Sequence, residues 1–409
     1  MTERLYWFDA YLREFEAQVV DVRPAQEGCA VVLEKTAFYP TSGGQMHDRG
    51  VLGGMKVEDV VEENGEIVHL VRGQISKGMR VRCSVDWDRR FDFMQQHTAF
   101  HVLAQALLRV TGAQTLSSHL GEEVSTLELD CAEVDGSSLA AAEELANRVL
   151  WENRRVRCYL VDAARAARMP LRKRPQLSGP VRLVDIDGFD LDPCSGTHVA
   201  TTGEVGLLKI VGKERLRGHV RFRFLAGRRA LRDYIHKSAI LEAAAAELTT
   251  GEKELPSALR KLRSDLHSAN KQLRATQERL LTAIRQEVLS QSSQSAVRLV
   301  QGLDDIDWTL VRKFALQLLD ALQGALIIAQ SVPCAHVAVG TTRRGIDLRA
   351  LVPEACALLG GKGGGRPSFI EIAGQQGERV PQTVALLRAR VEALLSTGAA
   401  GLPGHDAPP

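Results

Sequence analysis

Leu259, Leu262, Leu266, Ala269, Leu273, Thr276, Leu280 and Ala283 recur at alternating steps of three and four, the seam spacing of a coiled coil. They lie in a stretch beyond Gly227 that is rich in Ala, Leu, Arg and Gln. A long helix in the body of a chain forces the residues on either side into separate folded units. We therefore expect a helical coiled-coil spacer over residues 231–292, interrupted at its end by QSSQSAV. Its seam can pack in two ways: back on the helix that precedes Pro256, or against a second copy as a homodimer. With 409 residues, the chain also exceeds what one core comfortably serves.

The flanking segments differ in pattern. Over residues 1–88, short apolar runs such as CAVVLEKTAFYP and EIVHLVR are broken by Gly43, Gly44, Gly50, Gly53, Gly54 and Gly65, which predicts a β-rich N-terminal lobe. Over residues 89–230, FDFMQQHTAFHVLAQALLRVT has helical spacing. A strand VSTLELD, a helix over 137–153 and a strand VRLVDID then lead into the turn GFDLDPCSGTH, predicting an α+β domain. Over residues 297–398, buried-strand runs GALIIAQ and HVAVGTT alternate with helical segments, predicting a C-terminal α/β domain that a homodimer could also use. The tail GAAGLPGHDAPP is expected to be disordered.

Composition narrows the function. Lys and Arg total 52 against 50 acidic residues, so affinity for a polyanion has to come from local clusters. Residues 151–175 hold eight basic residues against two acidic ones, and residues 209–229 eight against one, enough to neutralise phosphates or simply to form solvated faces. Seven Cys without paired spacing fit a reduced compartment. The charged N-terminus MTERLYWFDAYLREFE is no signal peptide, and no window approaches the ~20 apolar residues of a membrane span. A cytoplasmic protein without a membrane or DNA partner is expected.

His97 and His101 stand four apart on a helix and leave one face about a turn apart. Cys194 and His198 repeat the step at the turn after VRLVDID. Three imidazoles and one thiolate are the ligand set that Zn²⁺ takes in tetrahedral geometry. Asp187, Asp190 and Asp192 either hydrogen-bond the ligand imidazoles or, as the preferred reading, shape a polar turn. Near the N-terminus, TAFYPTSGGQMHDRG places Gly43 and Gly44 beside Thr41, Ser42 and Gln45. This is a hairpin turn or a ligand loop.

FYPTSGGQMHD, HTAFH and CSGTH follow one another in the order of the editing domain of alanyl-tRNA synthetase and of its free-standing AlaX relatives, which the chain resembles. The resemblance continues through GLLKIVGKERLRGHVRFRF. It ends at GGKGGGRP, residues 360–367, which is similar to the glycine-rich signature of the DHH-associated domain. With the spacer between, the match is to the long form of AlaX. The chain departs from the pattern at Met46, where Pro is usual, at Ser368, and at GQQ over 374–376. His47 adds an imidazole that is a base or incidental.

The resemblance implies one Zn²⁺ per chain, held by His97, His101, Cys194 and His198. It implies a zinc-dependent hydrolase that deacylates mischarged tRNA(Ala), chiefly seryl-tRNA(Ala), with glycyl-tRNA(Ala) as a second candidate. Such sorting is needed because a pocket built for a methyl group rejects serine and glycine weakly. Thr41 and Gln45 are the expected catalytic residues. Thr41, Ser42, Gly43, Gly44 and Gln45 are expected to bind substrate, with Thr41 reading the serine hydroxyl. Lys213, Arg215, Arg217, Lys362 and Arg366 are expected to meet tRNA. GGKGGGR is not a phosphate-binding P-loop, because Gly follows Lys362, and its plain reading is a flexible glycine loop. With four ligands the zinc could instead be structural, in a tRNA-binding relative without catalysis. A full ligase is not expected, since the β-rich lobe starts by about residue 19. A DHH phosphoesterase is excluded by the lack of an Asp-His-His triplet.

Overall fold

The computed structural model describes residues 2–25, 28–173, 179–290 and 296–397. The expected disordered tail and most of QSSQSAV fall outside them. The described chain is mixed α/β and divides into two compact units, Met1–Glu247 and Leu248–Pro409. The segment expected as a spacer is therefore shared between the units.

In the first unit, β1 (Glu14–Ala25), β2 (Gly28–Leu33), β3 (Gly50–Leu52), β4 (Met55–Glu63), β5 (Glu66–Val71) and β6 (Arg80–Val85) close into a barrel in the order β1-β2-β5-β4-β3-β6. Alternation drives the closure: Phe15, Ala17 and Val19 of β1 point inward with Val31, Leu33, Val57, Val60, Ile67 and Cys83. A closed barrel leaves no strand edge unpaired, which the sequence pattern alone does not specify.

Helix α1 (Trp87–Thr111) follows. Asp86 caps its start by accepting from the Arg89 N–H at 3.2 Å, and Gly112 ends it at φ 73°. Residues Phe93 to Ala104 are all buried, so the helix runs through the middle of the unit. Two of its buried amides are paired: Gln96 Nε2 donates to the Ala226 carbonyl at 2.9 Å, and Gln95 Nε2 donates to that of Glu204 at 2.8 Å.

Around α1 lie strands β7 (Thr115–Leu120) and β8 (Ser125–Leu129), helix α2 (Gly136–Trp151), and strands β9 (Val156–Val161), β10 (Val181–Ile186), β11 (Asp190–Pro193), β12 (Leu208–Arg215) and β13 (Val220–Ala226). They form two antiparallel sheets, β12-β13-β8-β7 and β9-β10-β11. Helix α3 (Gly227–Glu247) completes the unit.

An ion pair sealed in the core joins barrel and helix. Arg90 and Asp48 are fully buried, and the guanidinium also donates to the carbonyls of Ala10 and Ala37. Asp48 Oδ2 accepts from the Tyr39 N–H at 2.6 Å as well. The last residue of FYPTSGGQMHD thus fixes the glycine loop onto α1.

The second unit opens with α4 (Leu255–Ser290), with Pro256 in its first turn. Leu259, Leu262, Leu266, Leu273 and Leu280 of the expected seam are exposed. Further along, Leu281, Ile284 and Val288 pack against Leu310 and Phe314 of α5 (Trp308–Ala321). The end of the long helix is therefore part of the C-terminal core.

The C-terminal sheet comprises β14 (Val297–Val300), β15 (Ala325–Gln330), β16 (Ala335–Thr341), β17 (Gly361–Arg366) and β18 (Phe369–Gly374), in the order β14-β15-β16-β18-β17. GGKGGGR is an edge strand here, not a flexible loop. Glycine serves in it because a Cβ on Gly363 would meet the Glu371 carbonyl oxygen at 2.7 Å.

Candidate metal centre

Nδ1 and Nε2 of an imidazole do different work, and here the first is used to aim the second. His97 Nδ1 lies 2.7 Å from Gln45 Oε1, and His101 Nδ1 lies 3.0 Å from Asp190 Oδ2. Both partners can only accept, so both rings carry a proton on Nδ1, which leaves Nε2 as the ligand atom. His198 Nδ1 meets Thr98 Oγ1 at 3.3 Å. Cys194 Sγ stands 3.3 Å from Nε2 of both His97 and His198.

All four ligand atoms lie within 4.8 Å of one another. Ligands at 2.0–2.3 Å around a tetrahedral ion are roughly 3.5 Å apart, so the donor set fits a metal ion. The close approach explains one glycine: a Cβ on Gly196 would sit 2.1 Å from His97 Cε1.

The electrostatics suit a cation. Burial alone would push the Cys194 thiol up, but His97 and His198, with hydrogen bonds from His101 and His198, hold it well below its ordinary value. Burial dominates at His198 and lowers it to about 3, keeping it neutral. At His101 burial opposes the charge, yet Asp190 and the Cys194 sulfur outweigh it and push the imidazole up to about 9, so a metal ion has to displace a proton from this ring to bind. Asp190 is braced by Arg172, whose Nε reaches Oδ1 at 2.8 Å and whose Nη2 reaches Asp192 Oδ2 at 2.7 Å.

Asp190 and Asp192 thus support the ligands, where the preferred sequence reading had them merely shape a turn. The signal was present: along an extended strand, Asp190, Asp192 and Cys194 share one face. Asp187 instead lies on the surface beside Arg157.

A cavity of about 240 Å³ opens beside the ligands, lined by His97, Phe100, His101, Cys194 and Ser195, by Gly43, by Thr115 to Ser118 of β7, and by Arg172 and Lys173. The glycine loop divides around it. Gly43 lines the cavity, and Gly44, at φ 84°, lies so close to β7 that a Cβ would meet the Ser118 carbonyl oxygen at 2.6 Å. Gln45 is fully buried, bonded to His97 and, through Nε2, to Thr197 Oγ1 at 2.9 Å; it positions a ligand rather than facing the cavity. The Ser42 carbonyl accepts from the Tyr39 hydroxyl at 2.9 Å.

Thr41 is not among the cavity residues, and its Oγ1 lies 3.1 Å from His47 Nδ1. His47 is clasped by Thr41, by Asp59 at 2.9 Å and by the Glu58 carbonyl at 3.1 Å, so the imidazole ties the loop to the barrel. Sequence reading missed Ser118. It lines the cavity from β7.

None of the expected tRNA contacts lines the cavity. Lys213 Nζ donates to the Val134 carbonyl at 2.6 Å, Arg215 pairs with Glu133, and Arg217 sits at the β12–β13 turn. Lys362 and Arg366 alternate on one exposed face of edge strand β17.

Three family profiles match the chain: tRNA synthetases class II (A) over residues 10–89, the threonyl and alanyl tRNA synthetase second additional domain over 181–223, and the DHHA1 domain over 297–393. The alanine–tRNA ligase of Ignicoccus hospitalis is 29% identical over 402 residues, 95% of this chain but 43% of the ligase. The chain thus spans less than half the length of that relative. AlaX-L of Pyrococcus horikoshii is 36% identical over 251 residues, 57% of this chain and 62% of AlaX-L. AlaX-M of Methanosarcina acetivorans is 39% identical over 231 residues, 51% of this chain and 92% of AlaX-M. The chain belongs to the AlaX-type alanyl-tRNA editing proteins. Its DHHA1 segment makes it a long form of that family, and among the described residues no helix is long and apolar enough to cross a membrane.

Proposed function

We propose that the protein deacylates mischarged tRNA(Ala), chiefly seryl-tRNA(Ala), at the cavity beside His97, His101, Cys194 and His198, with zinc as the ion these residues hold. The observation that carries the reading is the junction of this donor set with a cavity that Ser117 and Ser118 line. Four N and S donors at tetrahedral spacing favour Zn²⁺ over the harder, oxygen-seeking cations. When bound, zinc supplies Lewis-acid polarisation of an ester carbonyl.

The chain's own residues do the rest. Gln45, Asp190 and Thr98 hold the three imidazoles in register. Gly43 lets the substrate approach the loop backbone closely. Ser118 hydrogen-bonds the serine side chain, an interaction that alanine cannot make, so the correctly charged tRNA gains no hold there. Lys173, which lines the cavity, together with Lys213, Arg215, Arg217, Lys362 and Arg366, meets the phosphates of tRNA.

The testing experiment is release of amino acid from seryl-, glycyl- and alanyl-tRNA(Ala) with and without a zinc chelator. Zinc-dependent release of serine with alanine left in place is the expected result. A folded, zinc-loaded protein that releases none of the three would overturn the reading. A second reading rests on the completeness of the ligand set: four protein donors suit a structural ion, which would leave a tRNA-binding protein without catalysis. Retained tRNA binding without hydrolysis would establish it.

A further inference from the structure

A second cavity, of about 320 Å³, borders Asp190, the carboxylate bonded to His101, and is lined among others by Gln105 and Leu108 of α1, by Phe189 and Leu191, and by Arg172. It falls within the ~300–1,000 Å³ typical of small-molecule sites. Leu108, Phe189 and Leu191 make much of its wall apolar. One polar atom stands out: Gln105 Oε1 is buried and has no hydrogen-bond partner among the described residues. A buried amide oxygen left without a donor is unfavourable unless a ligand or a water supplies one.

The two cavities are neighbours on one strand. Asp190 and Leu191 line the second, and Asp192 and Pro193 line the first, a step of two residues or roughly 7 Å at the rise of a β-strand. Arg172 borders both. A nucleic-acid strand whose last nucleotide enters the first cavity therefore carries its penultimate nucleotide past the second.

We propose that this second cavity seats the penultimate base of the tRNA 3′ end, a cytosine whose exocyclic amine donates to Gln105 Oε1 while its ring lies against Leu108 and Phe189. The assignment rests on the reading of the first cavity as the seat of the aminoacylated terminus. Recognition of unpaired bases by an apolar wall and an edge hydrogen bond is the usual mode for single-stranded RNA.

The test is steady-state deacylation of seryl-tRNA(Ala), with the penultimate cytosine intact or removed to leave an abasic sugar. Wild type and Gln105→Leu are compared, with fold and zinc content checked for each. Removing the base should raise KM for the wild type by ~10-fold and leave kcat in place. Gln105→Leu should show a comparable rise with the intact substrate and little further rise with the abasic one. Leu108→Phe, which fills the cavity without touching the amide, should raise KM as well. An unchanged KM for the abasic substrate, or penalties that simply add in Gln105→Leu, overturns the proposal while leaving the editing reading intact. If wild type hydrolyses neither substrate, the editing reading falls, and this proposal falls with it.

Discussion

His69 in the barrel and His101 on the central helix are both fully buried, yet they are driven in opposite directions. At His69, Nδ1 donates to the Val31 carbonyl at 3.0 Å and Nε2 accepts from the Thr36 hydroxyl at 2.8 Å, so both nitrogens are spent on neutral partners. Burial then lowers the imidazole to about 4. At His101 the partners are charged, the Asp190 carboxylate at Nδ1 and the Cys194 sulfur, and the imidazole rises to about 9. Burial alone does not make a functional histidine. A nitrogen left over, aimed at other donors and backed by charge, does.

The contrast can be broken most severely at the ligands. Cys194→Ala should remove bound zinc and take serine release below detection, while the same protein still binds tRNA. Zinc retained at full occupancy, measured by elemental analysis, would refute the assigned ligand set. At His69 the expected effect is on stability. The folded imidazole titrates near 4, below its ordinary 6.5, so as pH falls below 6.5 the unfolded chain takes up a proton that the folded barrel refuses. Stability should drop by about 3 kcal/mol between pH 6.5 and 4 and then level off. Urea unfolding followed by tryptophan fluorescence tests this, and His69→Gln should flatten that part of the profile.

Asp190→Asn keeps a hydrogen-bond acceptor but removes the charge behind His101, and zinc affinity should fall ~10–100-fold in chelator competition. Equal affinity would show that shape, not charge, is what His101 needs. The smallest effect is expected for Ser118→Ala, which should lower kcat/KM for seryl-tRNA(Ala) by ~10-fold and leave glycyl-tRNA(Ala) untouched. Thr41→Val, with its hydroxyl turned to His47, should change neither value appreciably.

What could be read in the sequence follows the range of the interactions. The two four-residue steps, His97 to His101 and Cys194 to His198, are local, so helix and turn geometry made them visible before the fold was known. The edge strand Gly361–Arg366 was read as a loop because its glycines carry no side-chain pattern; its pairing with Phe369–Gly374 decides its state. Ser118 and Gln105 gave no signal, since each matters only through a cavity built by segments far apart in sequence. Gln45 was singled out for its amide as a substrate contact, and its Oε1 lies against His97 Nδ1, a pairing 52 residues apart that no local pattern shows. The leucine seam was legible as a helix, and its far end, at Leu281, belongs to the C-terminal core.

The buried pair of Arg90 and Asp48 carries a consequence for how such a chain can change over generations. Losing either partner alone strands a charge in the core, at a cost of about 3–5 kcal/mol, a large share of what holds an ordinary domain folded. Two positions, 42 residues apart, are thereby bound to a common fate. A lineage can keep both or exchange both, but the single steps between pass through a protein that scarcely folds.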